Sequence, residues 1–382
     1  MNRSSFTADS PGKLVSTSDG ALAFVPDPLP PQIDLDAELQ RLLEQAALSL
    51  GELRGLGHSL PNPELLVGPL LRREALFSSR IEGTIASAEQ LALFEADPSM
   101  EREEPSVKEV RNYVDAARFG LSRMSSLPVS LRLIREVHER LMTGVRGEDK
   151  RPGEFRTVQN WIGRFMSTPI HEARFVPPPP SELPEVLNSF ELYTARAHNS
   201  NLPDLVELAV IHYQFETIHP FEDGNGRVGR LLLTLLMAEW QLLSQPLLQL
   251  SAYFDQHHRE YMDRLLAVSQ TGAWRDWICF FLRGVENQSR DAVGRSRRLL
   301  SLREEYRAMA QTARVSPLLP QIVDDLFRQP AITIPQVANR LDVTYRTAQH
   351  NVDKLIAYGI LTEVKTRGRA RLFVASKIVD VI

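Results

Sequence analysis

Near the middle of the chain lies a stretch whose residue types and spacing suit phosphate chemistry. It reads His219-Pro220-Phe221-Glu222-Asp223-Gly224-Asn225-Gly226-Arg227-Val228-Gly229-Arg230. His219 is the one side chain in it able to accept a proton near neutral pH. Asp223 is an acid placed to hold a magnesium ion against phosphate oxygens. Gly224, Asn225 and Gly226 are residue types that tolerate positive φ, so their backbone N–H groups can turn inward as a nest. Pro220 ends the preceding helix, and apolar periodicity resumes at Val228, Leu231, Leu232 and Leu235. The nest therefore opens a helix N-terminus, which attracts phosphate through orphan N–H groups and the macrodipole. Arg227 and Arg230, three residues apart, share one helix face. Two guanidinium groups beside the positive end of a helix conflict with its dipole, and an anion there relieves the conflict.

Each feature alone has an ordinary reading. A His before Pro is usually a loop residue, Gly-Asn-Gly usually only a turn, and two helix arginines usually solvated. The conjunction between two helices is what points to a nucleotide. The stretch resembles the signature of the Fic family, His-x-Phe-x-Asp/Glu-Gly-Asn-Gly/Lys-Arg-x-x-Arg, with no departure. Pro152-Gly153-Glu154-Phe155-Arg156, Asn160-Trp161-Ile162-Gly163 and Phe175-Val176-Pro177-Pro178 resemble the segment leading through that family's flap hairpin. The likeness extends over residues 20–290 or so.

The resemblance implies a protein adenylyltransferase that moves AMP from ATP to Tyr, Ser or Thr hydroxyls of proteins, itself included. His219 would deprotonate the hydroxyl, which attacks the α-phosphate in line. Phe221 would anchor the loop and Asp223 would position Mg²⁺. Gly224, Asn225 and Gly226 would cradle the phosphates, with Asn225 near the α-phosphate. Arg227 and Arg230 would hold the β- and γ-phosphates, and Val228, Gly229 and Tyr261 complete the expected ATP contacts. The flap would dock the target protein's backbone as an added strand.

Upstream, Ser78 and Glu82 are four residues apart on one helix face, and Gly83 is a natural left-handed C′ residue. A carboxylate in the last turn of a helix is disfavoured by roughly 0.3–1 kcal/mol, so Glu82 has either a cationic partner or an exposed position. The segment resembles the family's inhibitory motif, Ser/Thr-x-x-x-Glu-Gly/Asn. There the glutamate pairs with the second motif arginine, here Arg230, and crowds the γ-phosphate out of place. The deAMPylase alternative has Glu82 activating water to remove AMP. A second alternative is a nucleotide-sensing DNA-binding regulator.

These groups must be held by a mainly α-helical chain. With 382 residues it exceeds one ordinary core. The expected division is an N-terminal helical extension (1–106), a Fic helical core with a β-hairpin flap (107–286), a charged, exposed linking helix (287–312) and a winged helix-turn-helix (313–382). Residues 1–35 read as a polar, proline-rich lead-in, and 97–106 as a charged joint. Helices are expected at about 35–53, 64–82, 107–123, 130–142, 181–197, 203–217, 226–243, 257–270 and 274–286.

In the tail, Val337 and Leu341 pack one helix, Thr344 caps a second, and Ala348, Val352 and Leu355 form its apolar face. Two strands follow around the turn Lys365–Arg369. This resembles a winged helix, with Tyr345, Arg346 and Gln349 facing a DNA groove and Arg367 and Arg369 the backbone. Residues 311–382 hold ten Lys+Arg and six Asp+Glu, while the whole chain carries −4. A basic tail on an acidic body suits a nucleic-acid partner for the tail alone, although winged helices also serve as protein contacts. The single cysteine, Cys279, excludes an internal disulfide framework and suits a reducing cytoplasm. No segment reads as a signal peptide or a membrane span. The oligomeric state is left open, a homodimer included.

Overall fold

In the computed structural model, residues 1–59, 62–97, 104–163, 168–195, 201–311, 316–364 and 371–382 are described. In chain order the elements are β1 (Gly12–Ser16), β2 (Leu22–Pro26), α1 (Ala37–Ser59), α2 (Glu64–Ile81), α3 (Ala88–Ala96), α4 (Pro105–Arg123) and α5 (Leu131–Met142). Next come α6 (Leu183–Thr194), α7 (Asp204–Ile218), α8 (Asn225–Glu239), α9 (Leu250–Gln256), α10 (His258–Thr271) and α11 (Trp274–Gln311). The remainder is α12 (Leu319–Arg328), β3 (Ala331–Thr333), α13 (Ile334–Leu341), α14 (Tyr345–Ala357), β4 (Thr362–Val364), β5 (Leu372–Val374) and α15 (Ser376–Val379). Contacts divide the chain into two compact units.

The first unit comprises Met1–Gly51, Asp115–Leu242 and Tyr253–Asn287. Its centre is α7, apolar on every side and buried along nearly its whole length, as a helix enclosed by neighbours must be. Trp277 at the start of α11 donates its indole N–H to the Ala209 carbonyl in α7 at 2.8 Å. Rings of Phe254, Tyr261, Trp277 and Phe280 pack beside it. Gly120 in α4 lets Leu235 of α8 approach, since a Cβ there would stand 3.0 Å from the leucine. The lead-in departs from expectation: β1 and β2 form an antiparallel hairpin, Gly12 opposite Pro26 and Ser16 opposite Leu22. Phe24 of β2 stacks on Phe6 at 5.6 Å and its amide bonds to the Val176 carbonyl at 2.9 Å.

The second unit comprises Glu52–Val114, Leu243–Ala252 and Gln288–Ile382. Here α2 packs on α12. A three-stranded antiparallel sheet of order β3-β5-β4 lies against α3, where Ala92, Leu93 and Ala96 meet Ala331, Leu372 and Val374. Capping boxes start two of the helices, Ser87 with Gln90 for α3 and Thr333 with Gln336 for α13. Thr344 caps α14 through its side chain.

Elements that the sequence pattern did not reveal include α3, α9, α12, β3 and α15. The linking helix also needs correction. Residues 287–311 continue α11 without a break, because no proline or capping signal interrupts 274–311. Nor is this stretch exposed all round: Ser289, Ala292, Ser296, Leu299 and Tyr306 are fully buried along one stripe. Part of the charged joint (98–103), the flap tip (164–167) and the wing turn with Arg367 and Arg369 lie outside the described residues.

Candidate active site

The site begins where α7 stops. His219 is the C-cap of that helix, in the left-handed region at φ 49°, ψ 60°. This conformation costs a non-glycine residue about 1–3 kcal/mol unless the surroundings impose it. Pro220, which cannot continue the helix, follows, and Phe221 is fully buried. The Phe221 ring stacks on His138 of α5, centroids 3.7 Å apart, and tilts against Phe155 at 5.3 Å. The anchoring role read from the sequence has its physical basis here.

Imidazole tautomers follow from the partners. His219 Nδ1 lies 3.2 Å from the Glu216 carbonyl oxygen, which can only accept. In the neutral ring Nδ1 then carries the proton and Nε2 the lone pair. His138 has the same logic with the nitrogens exchanged. Its Nδ1 accepts from the Gly153 amide at 2.9 Å, and its Nε2 lies 3.0 Å from the Asp223 carbonyl, to which it donates. Burial pushes the His138 pKa down to about 4, so the ring stays neutral.

The loop is closed by Asn225. Its Oδ1 accepts from the Phe221 amide and its Nδ2 donates to the Phe221 carbonyl, both at 2.8 Å. Of the two glycines expected at positive φ, only Gly224 has it (φ 78°). Gly226 lies within the first turn of α8. Gly224 is the N-cap of α8 and makes no side-chain cap, and no acidic residue lies in the first turn. The amide of Gly224 bonds instead to Asp223 Oδ1 at 2.6 Å.

Arg227 and Arg230 are both buried, at 1% and 2% exposure. Arg227 Nη2 stands 3.7 Å from Asp223 Oδ1, so the acid and the first arginine already face each other. Val228 is buried in the α8 contact with the core. Gly229 permits the close approach of α7: a Cβ there would stand 2.4 Å from Glu216 Oε1 and 3.0 Å from the Phe215 ring.

Asp223 is the acidic side chain of this loop nearest the helix N-terminus, with its side chain 41% exposed. Among the described residues no group of three or more His, Cys, Asp or Glu side chains forms a metal cluster. Asp223, beside the N-terminus of α8, is the kind of single carboxylate through which Mg²⁺ binds together with substrate phosphates and waters.

Tyr261, expected among the ATP contacts, lies in the core of the first unit. It is 1% exposed, and its hydroxyl bonds to His212 Nε2 at 2.8 Å. His212 in turn lies with Nδ1 3.3 Å from the Gly229 carbonyl, so Tyr261 supports the motif helix from within the core. Its neighbour Met262 lines a small, largely apolar cavity of about 50 Å³ that opens to solvent. Glu216 and Thr217 of α7 and Ile162, Arg174 and Phe175 of the flap line it as well. The flap itself is an antiparallel bridge, Ile162 opposite Phe175, followed by the proline run. His138, Met262 and the cavity were missed in the sequence, and Arg156 was noted only as part of the flap-like segment. Only the apolar spacing of α5 and the helix of residues 257–270 hinted at their elements.

The remaining expected residues lie in the second unit. Ser78 is fully buried in α2; Glu82 is the exposed C-cap of that helix, and Gly83 has φ 83°. Tyr345 and Arg346 are exposed in the first turn of α14, and Gln349 is half-buried. No helix among the described residues is long and apolar enough to cross a membrane.

Comparison with known proteins agrees with this arrangement. Residues 40–122 match the Fic/DOC family N-terminal region and residues 128–237 the Fic/DOC family. The chain is 36% identical over 135 residues to the protein adenylyltransferase Fic of Drosophila virilis, covering 35% of this chain and 25% of that protein. It is 32% identical over 182 residues to a probable protein adenylyltransferase of Aquifex aeolicus, covering 46% of this chain and 50% of that one. The matches thus span a quarter to a half of these relatives' lengths. A crystal structure of a Fic family protein from Desulfovibrio desulfuricans superposes with a TM-score of 0.56 at 18% identity, over 91% of this chain and 98% of that one. With the signature loop complete and both regions matched, the chain belongs to the Fic/DOC family.

Proposed function

We propose that the chain transfers AMP from ATP to hydroxyl groups of proteins, its own included. The observation that carries this reading is His219 at the C-cap of α7, its Nδ1 3.2 Å from the Glu216 carbonyl, shortly before an α8 N-terminus that has no side-chain cap and carries the buried Arg227 and Arg230. An acceptor Tyr, Ser or Thr oxygen attacks the α-phosphorus, and its proton passes to His219 Nε2. The new O–P bond forms as the bond from the α-phosphorus to the α,β-bridging oxygen breaks, and pyrophosphate leaves. Gly224, Asn225 and Gly226 supply backbone N–H groups to the phosphates, and Arg227 and Arg230 stabilise the charge that builds on the leaving group. Asp223 would hold Mg²⁺, which supplies neutralising charge when bound. The relatives' names, protein adenylyltransferases, support the same activity.

Glu82 acts as a brake in this reading, through Arg230. The tail from residue 313 is a winged helix, and the exposed Tyr345 and Arg346 of α14 favour DNA contact as a second role. A mobility-shift assay with the full chain tests that role. The absence of cystine suits a cytoplasmic site of action. The central experiment is incubation with α-labelled ATP. His219→Ala should abolish label transfer while ATP binding and fold persist, because an unactivated hydroxyl is a poor nucleophile. Transfer at the wild-type rate in that variant overturns the assignment.

A further inference from the structure

Arg156 is 2% exposed, yet among the described residues no acidic side chain pairs with it. Its donors go instead to backbone carbonyls. Nε donates to His219 O at 2.8 Å, Nη1 to Val158 O at 3.3 Å, and Nη2 to Pro178 O at 2.6 Å and Ile218 O at 3.3 Å. Its own amide bonds to Pro220 O at 2.9 Å. These acceptors belong to three separate segments. Val158 precedes the flap bridge, Pro178 follows it, and Ile218 and His219 end α7.

A buried cation with no counter-ion is expensive, and burial alone pushes this guanidinium down to about 10. The negative end of the α7 dipole offsets part of that cost. A simple helix cap would not require it, because a lysine at the surface or a neutral amide caps carbonyls at less expense. Asn160 is such an amide, donating to Phe221 O at 2.9 Å and His219 O at 3.4 Å. What distinguishes Arg156 is reach. A rigid planar fork can hold carbonyls of three segments at once, which an ammonium cannot.

We propose that Arg156 is a positioning residue that keeps the flap and the base in register: one guanidinium fixes the left-handed backbone of His219 and both ends of the flap. The proposal rests on the reading of His219 as base and of the flap as the acceptor's dock. A hydroxyl placed by the flap meets Nε2 of His219 at a constant offset only if the two move together, and small misplacements cost about 10²-fold in rate.

The test uses the full chain with Arg156→Gln and Arg156→Lys, the second retaining the charge but not the fork. Two measurements are independent of any catalysis: amide hydrogen exchange at Ile162 and Phe175, and the ring resonances of His219. Both variants should show faster exchange at these two amides and a shifted, broadened His219 signal, with exchange at Leu235 and Leu236 in the buried part of α8 unchanged. Unaltered exchange and an unaltered ring signal overturn the proposal; so does exchange raised equally in α8, which marks a general loosening. Label incorporation from α-labelled ATP, in the wild-type and Glu82→Gly backgrounds, should fall about 10²-fold at saturating ATP, with ATP affinity held within about twofold of its parent because no phosphate ligand is touched. Loss of ATP affinity in parallel with rate overturns the positioning role. If neither parent background transfers label, the proposed activity fails, while the exchange and ring measurements still decide whether Arg156 couples flap and base.

Discussion

His138 and Phe221 lie face to face, their ring planes within 5° and their centroids 3.7 Å apart. Around this stack the nucleotide loop takes its shape, because the same imidazole bonds to the Gly153 amide on one side and the Asp223 carbonyl on the other. A peptide whose carbonyl is held in this way turns its N–H in the opposite direction. The Asp223–Gly224 peptide therefore presents its N–H toward the Asp223 carboxylate.

That arrangement makes stability depend on pH. The His138 pKa falls from 6.5 to about 4 in the fold, chiefly through burial. Between those values the unfolded chain binds a proton that the folded chain does not. Stability is therefore complete above pH 6.5 and is lost as pH falls toward 4, by up to about 3 kcal/mol for this one group. His212, buried and lowered to about 3, extends the trend further into acid. Denaturant unfolding at a series of pH values should show wild type weakening between pH 6.5 and 4. His138→Gln should flatten that slope by about one proton. An unchanged slope in the variant places the acid sensitivity elsewhere.

Much of the loop was legible in the sequence because its determinants are local. Pro220, Gly224 and the arginine spacing act within a few residues of each other, and helix periodicity located α2, α4, α5, α7, α8 and α10 to within about two residues at most ends. What supports the loop is not local. His138 and Arg156 reach it across 85 and 63 residues, and nothing in their neighbours' types predicts that contact. Tyr261 shows the same limit: periodicity located α10 but not which of its sides faces the core, where Tyr261 is 1% exposed and bonds to His212 at 2.8 Å. The short strands of the β1–β2 hairpin are held by tertiary contacts such as Phe24 with Phe175, which no window of sequence displays.

Gly229 and Glu216 should behave as a coupled pair. A methyl group at 229 would meet Glu216 Oε1 at 2.4 Å, and the Phe215 ring behind it has little room to retreat. Gly229→Ala should lower stability by about 1–3 kcal/mol through overpacking. Glu216→Ala opens the space, so the double variant should be more stable than the sum of the single effects requires. Thermal melts of the four proteins give the coupling directly; strict additivity would show that the helices part without engaging Glu216.

The brake makes the sharpest prediction, and it is one of gain. Glu82 ends α2 as an exposed C-cap, a position where the helix dipole disfavours a carboxylate. In the proposed resting state it satisfies Arg230, so the γ-phosphate loses a guanidinium partner and meets a like charge. ATP then binds with its α-phosphorus out of line, and transfer is slow. Glu82→Gly should raise label transfer, to the chain itself and to added protein, by about tenfold or more. The gain depends on the released arginine, so adding Arg230→Ala should cancel it. A hydrolytic role for Glu82 predicts the opposite pattern: removal of AMP from a labelled chain would fail in Glu82→Gly while transfer stayed at its wild-type rate. Measuring both directions under matched ATP and Mg²⁺ separates the two, and transfer no faster in Glu82→Gly than in wild type removes the inhibitory reading.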